Sequence, residues 1–68
     1  MTNYINRSFT YVIADQVVAS GRIKTWETDG RVTFHVYSSA FPDLWPVGGI
    51  GVLYQVLFTR RDLIKVAA

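Results

Sequence analysis

Apolar and polar positions alternate with a period of two over much of this chain, the pattern of strands half buried in a sheet. The alternation is clearest from Gly21 to Tyr37, where two such runs meet at Asp29-Gly30. That pair favours the tight turn of a β-hairpin. Folded there, one face carries Ile23, Thr25, Val32, Phe34 and Val36, with Glu27 close to the turn. The other carries Arg22, Lys24, Trp26, Arg31, Thr33, His35 and Tyr37, and no carboxylate.

Three further segments extend the pattern. Phe9 to Ala14 reads as a first strand, rich in β-branched and aromatic residues and apolar on both sides. Asp15-Gln16 would then connect it to Val17-Val18-Ala19, with Gly21 marking a bend or bulge before the hairpin. A helix over 12–20 is the rival reading, disfavoured by its shortage of strong helix formers. Ile50 to Thr59 predicts a strand with Val52, Tyr54, Val56 and Phe58 on one side and Leu53, Gln55 and Leu57 on the other. After the break at Arg60-Arg61-Asp62, residues 63–68 read as a short strand or a frayed helical turn. Between the hairpin and the 50s strand the pattern lapses. Phe41-Pro-Asp-Leu-Trp-Pro46 predicts a Pro-bounded turn or 3-10 segment, and Gly48, Gly49 and Gly51 free the backbone to pass a bulky neighbour such as Trp45. The expected fold is all-β, a single domain over 1–68. About five strands would form a small antiparallel barrel or strongly curled sheet of OB-fold or SH3-like size.

Composition fits that fold. Half of the 68 residues are apolar, with four Phe, four Tyr and two Trp, so a small chain has large side chains to bury. The formal net charge is +2, compatible with nucleic acid or an acidic protein but ordinary for a small domain. With no cysteine, disulfides, thiolate catalysis and cysteine-based metal sites are excluded, which fits a cytoplasmic setting. The first residues lack a signal-peptide pattern, and the apolar stretch Val47–Leu53 is too short for a membrane-spanning helix, so no membrane association is expected.

Catalytic chemistry finds little support. Asp15, Asp29, Asp43 and Asp62 fall mostly at turns, where aspartate hydrogen-bonds the local backbone, and no two carboxylates share a rigid face. His35 is the sole histidine, so neither a metal site nor a cofactor is expected. Ser8, Ser20, Ser38 and Ser39 lie in no nucleophile motif, and Gly48-Gly49-Ile50-Gly51 lacks the lysine and helix of a phosphate loop.

A non-enzymatic accessory binding module remains, with two candidate surfaces. The first is the basic and aromatic hairpin face of Arg22, Lys24, Trp26, Arg31, His35 and Tyr37. There rings would stack on the bases of single-stranded DNA or RNA while cations approach phosphates. Ser-Gly-Arg-Ile-Lys-Thr-Trp at 20–26 resembles the opening strand of the cold-shock domain, a five-stranded nucleic-acid-binding barrel, with the tryptophan one residue later. Asp29 to Val36 is a distant echo of that family's second strand. The likeness covers about a quarter of the chain, lacks the glycine-separated aromatics, and is one of local physics rather than membership. The second surface is a protein-interaction or inhibitor site of Phe41, Leu44, Trp45, Tyr54 and Phe58, with self-association as a homodimer among its forms. The same loop, if buried, is instead a lid over the core.

Overall fold

A computed structural model describes residues 3–67. Five antiparallel strands, β1 (Ser8–Ile13), β2 (Gln16–Trp26), β3 (Arg31–Ser39), β4 (Ile50–Tyr54) and β5 (Ile64–Val66), form one sheet in the order β4-β3-β2-β1-β5. The first four run as a meander, and the chain returns through a 3-10 helix (Gln55–Thr59) to lay β5 beside β1. β4 and β5 stand at the two edges, so the sheet is not closed into a barrel. No helix among the described residues is long and apolar enough to cross a membrane. The expected last segment is the strand Ile64–Val66, and Ala68 lies outside the described residues.

The core follows from how large and small residues face each other across strands. Phe9 pairs with Gly21, Tyr11 with Ala19 and Phe34 with Gly51, so each ring lies beside a position with little or no side chain. Phe9 and Phe34 thereby meet edge to face across the intervening strand, with centroids 4.8 Å apart. A Cβ on Gly21 would overlap the His35 carbonyl oxygen and come within 2.9 Å of Phe34 Cδ2. A Cβ on Gly51 would lie 2.6 Å from Phe34 Cζ and 2.7 Å from Trp45 Cδ1, which gives that glycine the role expected of it. Ile23, Val32, Phe34 and Val36 are completely or almost completely buried and share one cluster with Phe9, Leu53, Phe58 and Ile64.

Both hairpin turns differ in detail from expectation. The β1–β2 link is Ala14-Asp15, one residue earlier than Asp15-Gln16, and both residues have positive φ, at 51° and 64°. That is the geometry of a two-residue type I′ turn, which matches the right-handed twist of the flanking strands. At the other hairpin, Gly30 N–H donates to Glu27 O (3.2 Å) and Glu27 N–H to Arg31 O (2.8 Å), with Gly30 at φ 97°. The loop is therefore a turn over Glu27–Gly30 closed by a left-handed glycine, longer than a two-residue Asp-Gly turn. Asp29 has the structural role expected, accepting the Arg31 N–H through Oδ1 at 3.2 Å.

The 50s strand is shorter than its alternation predicts. Beyond Tyr54 the partner strand has ended at Arg31, and Gln55 N–H donates to Gly30 O, in the turn itself (2.8 Å). With no ladder to continue, the chain coils into the 3-10 helix, and Thr59 Oγ1 donates back to Val56 O (2.7 Å). The coil breaks the period of two. Phe58 turns into the core while Val56 and Tyr54 remain exposed.

Candidate binding surface

Two bulges decide which hairpin residues reach solvent. Between Ile23 and Thr25 the register slips by one, leaving Lys24 as an extra residue on β2. Beyond it Thr25 shares the outward face with Thr33, their hydroxyls 2.6 Å apart, and Trp26 falls opposite the buried Val32. Trp26 is therefore not on the basic face. It is half-buried, edge-on to Tyr4 (5.5 Å) and Phe58 (5.3 Å). Strict alternation misassigned Trp26 and Thr25 because one inserted residue inverts every side chain after it. The second slip, between Ser20 and Gly21, leaves Tyr37 as the extra residue on β3, 52% exposed.

The outward face that remains is basic at its centre. Arg22 lies directly opposite His35, which in turn neighbours Ile50. Arg22, Lys24 and His35 line a groove of about 210 Å³, completed by Asn6 and Ile23. The Tyr37 ring lies 6.5 Å from that of His35, tilted by 39°. Asn6 enters because the N-terminal segment runs alongside β2, donating from its N–H to Ile23 O (2.8 Å) while Arg7 O accepts from Ile23 N–H (2.9 Å). No local signal marks Asn6, since an isolated asparagine before a strand has no pattern of its own. Arg31 stands apart from this group, its Nε donating to Asp29 Oδ2 at 2.8 Å, so much of its charge is matched locally.

The proposed protein surface is also divided. Phe41 and Leu44 are exposed on the turn held by Leu44 and Trp45 N–H groups, both donating to Phe41 O. Trp45 is buried, packs on Tyr11 and Phe41, and donates from Nε1 to Val52 O at 3.4 Å. The loop is thus a lid through Trp45, with its apolar tip left in water. Phe58 is core, whereas Tyr54 joins Ile50 and Val52 in an exposed row on edge strand β4.

Comparison of the chain with family models, curated proteins and solved structures found no match. The surface chemistry must be read on its own terms. Among the described residues no group of three acidic, histidine or cysteine side chains gathers as metal ligands. The second ion pair, Arg60–Asp62 at 2.9 Å, is exposed; its hydrogen bond holds the Asp62 carboxyl below the usual range and raises the Arg60 guanidinium.

Proposed function

We propose that this protein is a non-enzymatic, cytoplasmic binding module that contacts single-stranded nucleic acid through the outward face of the β2–β3 hairpin. The carrying observation is the groove in which Arg22, Lys24 and His35 meet without a carboxylate among its lining residues, flanked by the exposed Tyr37 ring. Cations at that spacing attract phosphates by releasing counterions, and an exposed ring beside them offers a stacking platform for a base. The sheet buries its other face in one core that residues of both edge strands join, and leaves Arg22, Lys24, His35 and Tyr37 exposed.

The test is binding of short labelled single-stranded DNA and RNA at about 50 and 200 mM salt. Removing Arg22 and Lys24 together as glutamines should weaken binding and reduce the salt slope by roughly 0.7 per cation. Binding that is absent, or indifferent to salt, would falsify the reading.

A second reading rests on a separate observation, the exposed apolar row Ile50, Val52 and Tyr54 on edge strand β4, with Phe41 and Leu44 exposed as well. An apolar edge strand invites pairing with another copy. Opposing it, the Trp45 indole already occupies the Val52 carbonyl. Light scattering decides it: a monomer at high concentration removes this reading.

A further inference from the structure

We propose that the cleft between the N-terminal segment and β5 is a phosphate-binding site, built by Arg7, Arg61 and Lys65 over an apolar floor of Phe58 and Val66 with Tyr4 as its wall. The proposal deepens the nucleic-acid reading and rests on it for the identification of a strand as ligand. Of the residues of this cleft only Phe58 stood out in the sequence, as a candidate for a protein surface.

Unpaired positive charge is concentrated at this cleft. Of the seven lysines and arginines, Arg31 and Arg60 are paired with aspartates. Among the described residues the other five have no acidic partner within salt-bridge distance, and three of these line this one cleft of about 380 Å³. No carboxylate lines it. In the run Arg60-Arg61-Asp62, the aspartate binds Arg60 and leaves Arg61 to the cleft. Cations of one sign around an apolar floor focus potential, because low-dielectric walls screen less than water.

The cations are also set on fixed backbone. Arg7 is held by its carbonyl to β2 and by its N–H to Tyr4 O (3.0 Å), with its guanidinium 6.0 Å from the Tyr4 ring centroid. Arg61 lies in a turn closed by Leu63 and Ile64 N–H groups on Arg60 O, and Lys65 Nζ lies 3.5 Å from Arg61 O. Two guanidinium forks and an ammonium match the several oxygens of a phosphate better than the single pair of a carboxylate.

The N-terminal segment links the cleft to the hairpin groove. Tyr4 and Arg7 line the cleft, and Asn6, between them in sequence, lines the groove of Arg22, Lys24 and His35. To engage both across the N-terminal segment a ligand needs regularly repeated phosphates, whereas a compact anion occupies one. The shared chemistry is a phosphate ester, supplied either by a strand or by a free mononucleotide.

The experiment uses the intact chain, with a fluorescent oligothymidylate of about ten nucleotides and adenosine monophosphate as probes, and oligoglutamate as a competitor. The key variant carries Arg61→Gln and Lys65→Gln. Both side chains are exposed, so an unchanged thermal midpoint is expected, and Arg7→Gln serves as an independent second variant. The strand should bind about 3- to 10-fold more weakly to the double variant, with a salt slope smaller by roughly 1.4, and its addition to wild type should shift the amide resonances of residues 60–66. Unchanged affinity and slope here, with losses on removing Arg22 and Lys24, would overturn the cleft and leave the hairpin reading standing. Adenosine monophosphate shifting the cleft amides without any strand binding would keep the phosphate site as a mononucleotide site and remove the hairpin reading. Cleft amides that respond to neither probe, or oligoglutamate binding as tightly as the strand, would overturn the phosphate assignment.

Discussion

The two faces of the β2–β3 hairpin come from alternate residues of the same two strands and obey different rules. Inward, Ile23, Val32, Phe34 and Val36 are sealed, and the glycine at position 21 is fixed by the ring beside it and the carbonyl across from it. Outward, Arg22, Lys24, His35 and Tyr37 lie in solvent, held only through their backbone. Close packing makes the inner face intolerant of a single added or removed methylene. The outer face is free of that constraint. In a chain this small, the core and the proposed binding face are kept apart by little more than the pleat of one sheet.

That separation can be broken or sharpened by substitution, the largest effect being on the inner face. Gly21→Ala should cost about 3 kcal/mol or more, because the new methyl meets backbone that cannot move aside. In a domain of marginal stability this should leave a largely unfolded chain by circular dichroism. Trp26→Ala should cost about 2 kcal/mol in urea denaturation, less than a fully buried tryptophan, through lost contact with Tyr4 and Phe58. A stability change under about 0.5 kcal/mol would place Trp26 with the outward residues and restore it to the proposed binding face. Ala14→Asn should act in the opposite direction and stabilise by about 1 kcal/mol, since Ala14 holds a left-handed conformation that asparagine adopts more readily. An unchanged denaturation midpoint would argue against the type I′ turn. Tyr37→Ala should have the smallest effect on stability, within about 0.5 kcal/mol, while weakening single-strand binding several-fold. Loss of stability without selective loss of binding would make Tyr37 a packing residue and blur the distinction between the faces.

Much of the fold was legible because its signals are local. The Asp29-Gly30 turn and the runs on either side located the central hairpin, and Pro42 and Pro46 bracket the turn that was expected there. What failed did so for identifiable reasons. The bulge at Lys24 leaves no mark in a sequence that reads as good strand throughout, yet it sends Trp26 to the opposite face. The run Ile50–Thr59 alternates to its end, but a strand lasts only as long as its partner, and β3 begins at Arg31. Arg7, Arg61 and Lys65 could not be grouped from sequence at all, since only the pairing of β5 with β1 brings the two ends of the chain together.

Local patterning was enough to specify a small all-β chain with one hairpin that is apolar on one side and basic on the other, because period-two alternation and turn chemistry act within a few residues. Only the tertiary structure decided which aromatics are core, where the strands stop and which cations share a cleft. Those outcomes depend on register slips and on contacts between segments far apart in sequence, where a single extra residue reverses a face and no local preference records the partner.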